Sequence, residues 1–151
     1  MTIADHYAAL RDALSAEGES PDTGGDIVAA EYLVPYLAHA SMEPLAATAR
    51  FADGMLEVWA GTQDPLNARN LAAAVAGVPF ERVSMHNLHS GGAFGRRLPG
   101  AFDYIEQAVR IAMAVAPRPV KLIWTREEDM RHDYYRPAVA ARPKLGLVLC
   151  N

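Results

Sequence analysis

The stretch whose residue types could do chemistry is "HSGGAFGRR", His89 to Arg97. Glycine adopts positive φ and lets another group approach the main chain closely. A strand that runs into Gly91 and Gly92 and on to a helix would aim free N–H groups at one point. That is an anion seat, strengthened by a helix N-terminus. Arg96 and Arg97 carry the guanidinium fork that fits phosphate oxygens, and Phe94 would wall out water. The stretch is neither the G-x-G-x-x-G dinucleotide fingerprint nor a P-loop with its Gly-Lys-Ser/Thr. From the residues alone, a ligand loop and a plain surface turn both remain open.

Other stretches carry weaker signals. "HASME" sets His39 and Glu43 four apart, a metal-ligand spacing on a helix. No second histidine stands in register and the segment does not read as helix, so a structural role is expected. His86 and His89 are expected as polar packing or loop residues. "TREEDMRHDYYR" reads as a solvated helix with internal ion pairs. No Ser-His-Asp or Cys-His set can be assembled. The single cysteine, Cys150, excludes an internal disulfide and argues against a cysteine zinc site.

The 151 residues suit one domain or one domain with a tail, and 51% apolar content is enough for a core. The net charge of -4 argues against broad nucleic-acid binding. No apolar run reaches the roughly 18 residues of a membrane span. The first twenty residues lack the charged and apolar regions of a signal peptide.

The elements that must position the loop follow from local patterns. Ile3, Tyr7, Leu10 and Leu14 make an amphipathic helix over 2–16, and 17–26 reads as a polar linker. Residues 27–36 read as a strand interrupted by Pro35. Asp53-Gly54 predicts a two-residue hairpin within 45–60. The helix after "QDP" has Asp64 as cap, Pro65 in its first turn and Gly77 to close it. A strand over 82–88 enters the glycine loop, and a helix over about 101–116 follows it. A buried strand spans 120–124, and Thr125 and Glu128 form a capping box. The expected class is α+β, a mixed β-sheet with packed helices. The expected organisation is an N-terminal helix and linker (1–26), a domain over 27–137, and a divergent tail (138–151).

Four stretches in order, "YLVPYLAHASMEPLAATAR", "VWAGTQDP", "HSGGAFGRR" and "PVKLIWTREEDMRHDYYRP", resemble the molybdenum-binding subunit of the xanthine dehydrogenase and aldehyde oxidase family. The branch of isoquinoline 1-oxidoreductase beta subunits is the nearest in pattern, over roughly 27–137. The resemblance implies part of a molybdenum cofactor-binding domain. Such enzymes hydroxylate aldehydes or N-heterocycles with oxygen from water. Their molybdenum sits on a pterin dithiolene, often as the cytosine dinucleotide, and electrons leave through two [2Fe-2S] clusters in a separate domain or subunit. By the same resemblance, Gly91, Gly92, Ala93, Phe94 and Gly95 approach the cofactor. Gln63 donates to a molybdenum oxygen, Arg96 or Arg97 meets the anionic cofactor or a partner segment, and His39, Met42 and Glu43 lie toward the substrate.

The departures matter equally. The family's general base is a glutamate in a late Gly-x-Gly-Glu motif, which is absent from these 151 residues, so no catalytic residue is assigned. Ala93 replaces the third loop glycine. Leu98 stands where purine-oxidising members place an acidic residue, so purine oxidation is not suggested. The expectation is a fragment of a molybdenum hydroxylase subunit, inactive alone and completed by an iron–sulfur subunit or the missing half. The rival is a stand-alone, non-catalytic scaffold domain. Self-association through exposed apolar surface is expected of the fragment, and a stable monomer or homodimer of the scaffold domain, with a cytoplasmic location by default and a periplasmic one allowed by the family.

Overall fold

The computed structural model describes residues 2–16, 26–98 and 100–147. The expected linker over 17–26 lies almost wholly outside them. The chain divides into two compact units, residues 38–134 and residues 1–37 with 135–151.

The unit over 38–134 is built on the hairpin. β4 (Ala46–Ala52) and β5 (Met55–Ala60) pair antiparallel. Asp53 and Gly54 between them have φ of 52° and 72°, the two left-handed residues a type I′ turn needs. From β5 the chain crosses through α2 (Pro65–Ala76) to β6 (Val83–Asn87), which lies parallel to β5. The Asp64 side chain accepts from Asn67 N, and Gly77 closes α2 at φ 65°. From β6 the chain passes through the glycine loop and α3 (Asp103–Ala114) to β7 (Val120–Ile123), antiparallel to β4 at the opposite edge. The sheet order is β6-β5-β4-β7, mixed as expected.

Strand alternation decides which face is covered. Ala47, Ala49, Leu56, Val58, Ala60 and Val83 point to one side, where they are buried with Ala68, Ala72, Tyr104, Ile105, Ala108 and Val109 of the helices. Trp59 lies on the other face, stacked on His86 at 4.8 Å and 8° between planes. This answers the expectation for His86: it packs on an indole. α4 (Arg126–Arg131) follows β7, with Thr125 Oγ1 accepting from Glu128 N as the capping box requires.

The other unit contains α1 (Ile3–Ala16) and two antiparallel ladders. β1 (Asp26–Ala29) pairs with β10 (Lys144–Leu147), and β2 (Tyr32–Val34) pairs with β9 (Val139–Ala141). Short strands β3 (Leu37–Ala38) and β8 (Tyr135–Arg136) stand where the chain passes from one unit to the other. Glu31 accepts from Arg11 Nε at 2.6 Å and from Arg142 at 3.1 Å, tying α1 to the ladders. The structure therefore divides the chain differently from the expected boundaries at 26 and 137. Residues after Pro137 are strands because residues 26–34 offer them ladder partners, a pairing with no local signature.

Candidate functional site

The glycine loop is held by two segments that touch it. Met42 N donates to Gly92 O and Glu43 N to Gly91 O, both at 3.0 Å, and Gln63 N donates to Arg97 O at 3.0 Å. Gly91 N in turn donates to Glu43 Oε2 at 2.8 Å. The stretches "HASME", "TQD" and "GGAFGRR", far apart in sequence, thus meet at one place.

Two features of the loop bear on ligand binding. Gly92, Phe94 and Gly95 have φ of 79°, 53° and 104°. Phe94 holds a left-handed conformation at a cost of about 1 kcal/mol or more for a residue with a Cβ, and its ring is 56% exposed. Among the described residues, the N–H groups of Gly92, Ala93, Phe94 and Gly95 meet no acceptor in hydrogen-bonding geometry. Four successive amides are therefore uncommitted, along a stretch where Gly92, Phe94 and Gly95 all lie at positive φ. Tight packing explains part of the glycine content. A Cβ on Gly91 would sit 2.8 Å from Glu43 Cβ, and one on Gly95 3.3 Å from His39 Nε2.

The helix contribution expected here is absent. α3 starts at Asp103, beyond the loop, so its N-terminus does not back the loop amides. The acid in its first turn meets Arg96 instead.

Arg96 and Arg97 turn inward, which the motif alone did not indicate. Both side chains are nearly sealed from solvent, at 0% and 2% exposure, and both guanidinium groups are engaged within the chain. Arg96 Nη2 donates to both oxygens of Asp103 at 3.1 and 3.0 Å, and Nη1 donates to Ala101 O. Its Nε lies 3.2 Å from Asp133 Oδ1, close enough for ionic attraction though not aligned as a hydrogen bond. The Tyr134 ring stacks at 4.9 Å. Arg97 donates to Gly61 O at 3.0 Å and to Glu43 O and Oε2 at 3.3 Å. A buried guanidinium needs such partners to offset its desolvation, so both arginines brace the loop from behind.

The other expected residues divide. Glu43 clasps Gly91 and Arg97. Met42 is 73% exposed beside Gly92 and Phe94. Gln63 is exposed, and its side-chain amide makes no hydrogen bond among the described residues. His39 is oriented by Asp133 Oδ1 at 3.1 Å and Tyr134 O at 2.8 Å. Asp133 also accepts from Ala40 N at 3.0 Å. Asp103 and Asp133 are the supporting residues that sequence reasoning missed. "TREEDMRHDYYR" had been expected as a solvated face, yet Asp129 and Asp133 turn inward. Burial pushes the Asp129 carboxyl up from its ordinary value, against the pull of Arg126 at 2.7 Å. Among the described residues no group of three His, Cys, Asp or Glu side chains could hold a metal ion, and residues 39–43 form no helix.

Two concavities flank the loop. One, about 260 Å3, is lined by Glu43, Trp59, Gly61, His89 and Lys121 among others. The second, about 240 Å3, lies beside Gly95 and Leu98. No helix among the described residues is long and apolar enough to cross a membrane.

Comparison with known proteins places this geometry. The beta chain of isoquinoline 1-oxidoreductase from Brevundimonas diminuta is 41% identical over 111 residues, which are 72% of this chain and 14% of that protein. The membrane-bound aldehyde dehydrogenase (pyrroloquinoline-quinone) of Gluconacetobacter polyoxogenes is 37% identical over 117 residues, 77% of this chain and 15% of that protein. The chain thus spans a small part of the relatives it matches. The fold matches quinoline 2-oxidoreductase from Pseudomonas putida 86 with a TM-score of 0.62 at 20% identity, over 82% of this chain and 16% of that one. Residues 20–148 match the model of the molybdopterin cofactor-binding domain. With most of its length inside that match, the chain belongs to the molybdopterin cofactor-binding domain family.

Proposed function

We propose that this chain supplies one wall of a molybdenum hydroxylase site. In this reading the amides of Gly92 to Gly95 hold the oxygen-rich face of a molybdenum-pterin cofactor, carried as the cytosine dinucleotide. The run of four amides without an acceptor is the observation that carries the reading. When bound, the cofactor supplies the redox chemistry that delivers oxygen from water to an activated C–H carbon of an aldehyde or N-heterocycle.

The chain's own residues bind and orient. The loop amides donate, with no Cβ at three of the five loop positions to block approach. The exposed Phe94 ring keeps water from the same surface. Gln63, anchored through its backbone to Arg97 O, offers its side-chain amide as a further donor. Arg96, Arg97 and Glu43 keep the amides pre-aligned, so that little reorganisation accompanies binding. The base that accepts the proton and the remaining cofactor contacts come from other segments, and electrons leave to a partner carrying two [2Fe-2S] clusters.

The test is co-expression of this chain with a glutamate-bearing remainder of the subunit and an iron–sulfur subunit. Stoichiometric molybdenum in the purified assembly is expected. Replacement of Phe94 by Asp is expected to lower that occupancy at unchanged assembly size. An assembly that forms, folds and carries no molybdenum overturns the proposal and favours a scaffold role.

A further inference from the structure

The open cavity of about 240 Å3 beside the loop is lined by His39, Gly95, Arg96, Leu98, Gly100, Ala101 and Tyr134. Among the described residues its lining is largely apolar or backbone; the polar side chains are the His39 imidazole, the Tyr134 phenol and the Arg96 guanidinium, the last already engaged with Asp103.

The state of that imidazole follows from its partners. Nδ1 faces Tyr134 O at 2.8 Å and Asp133 Oδ1 at 3.1 Å. A carbonyl oxygen only accepts, and so does an ionised carboxylate, so Nδ1 carries the hydrogen. In the neutral ring Nε2 then bears a lone pair. Nε2 has no hydrogen-bond partner among the described residues, and it sits on the Gly95 side of the ring, 3.3 Å from where a Cβ would stand. Asp133 cannot turn away, because its second oxygen holds Ala40 N at 3.0 Å. The histidine side chain is only 12% exposed, so its orientation is set by packing as well as by bonding.

An acceptor of fixed orientation, His39 Nε2, in a largely apolar recess selects its ligand by chemistry. We infer that this cavity binds a compact, uncharged, largely apolar molecule that carries one O–H or N–H, donated to His39 Nε2. A charged ligand would lose its hydration without a counter-ion. A cavity of about 150 Å3 already admits a benzene-sized guest in other proteins, so a single aromatic ring with one polar substituent fits here. A molecule held this way lies against Gly95, the last residue of the amide run. Asp133 is a positioning residue, acting through His39.

The experiment uses the full chain alone, labelled with 15N at its histidines, and titrates phenol and anisole at about pH 8, where a histidine is ordinarily neutral. The two probes share shape and differ in the donor. Phenol is expected to bind about five- to tenfold tighter, the worth of one neutral hydrogen bond, and to move the Nε2 resonance of His39 and no other of the five histidines. Leu98→Trp, at a position 47% exposed, is expected to fill the recess and abolish both affinities. Equal affinities, an unmoved His39 resonance at saturating phenol, unchanged binding in the Leu98→Trp chain, or no binding of either probe would each overturn the inference. None of these readouts needs molybdenum or a partner, so the result stands apart from the cofactor proposal.

Discussion

Arg97 shows how a residue that reads as a ligand on paper becomes a brace in three dimensions. Its fork reaches Gly61 O, Glu43 O and Glu43 Oε2 at once. Lysine keeps the charge and loses the geometry. Arg97→Lys is therefore expected to cost about 2 kcal/mol, read as a lower urea midpoint at unchanged slope. Asp129 gives a pH-dependent counterpart. Its folded-state carboxyl is raised above its ordinary 3.8, first by burial. The stability it contributes is complete below the unfolded value and is lost as pH rises through the folded one. Asp129→Asn lacks this loss, so its stability relative to the parent chain should improve between about pH 4 and about pH 7. Paired urea titrations at the two pH values check the sign. Tyr104, buried and donating to Gly61 O at 2.8 Å, has its phenol pushed up to about 12.

Among elements, two glycines separate backbone strain from crowding. Gly77 has φ 65° and open space around it, while Gly91 abuts Glu43 Cβ. Gly77→Ala should cost about 1 kcal/mol through strain alone and leave amide shifts at residues 91–95 in place. Gly91→Ala should displace the Met42–Gly92 and Glu43–Gly91 pairings, seen as large amide shifts at those residues. The elements whose signals are local were legible in the sequence. Asp53-Gly54 turned the hairpin, and Asp64, Pro65 and Gly77 bounded α2. The helix expected over 101–116 is shorter, at Asp103–Ala114, because the residues before it belong to the loop. What was hidden depended on distance along the chain. His39 meets Asp133 across 94 positions, and nothing in "TREEDMRHDYYR" marks which acids turn inward. The loop residues were found by resemblance. Their burial pattern, which turns the Arg96 and Arg97 guanidinium groups inward, was not contained in any motif.

At the scale of the molecule, the buried apolar cluster runs from Leu45 to Trp124 and lies wholly within residues 38–134. That segment is expected to fold when produced alone, with a single cooperative transition and the Trp59–His86 stack retained. Near-ultraviolet dichroism and thermal melting test it, and a molten far-ultraviolet-only signal would contradict it. The comparisons agree with this centre of gravity, since the matched family region contains it entirely.

The pairing of β1 with β10 and of β2 with β9 also dictates an order of events during synthesis. A ribosome releases residues 26–34 long before residues 139–147, and domains fold as units as they emerge. The middle of the chain can close its sheet while its early strands wait for late partners. During that interval Val28, Tyr32 and Val34, all at least 40% exposed even in the finished structure, lack ladder neighbours. Unpaired strands of this kind invite pairing with other nascent chains, so the later strands of each ladder serve as the seal on the earlier ones.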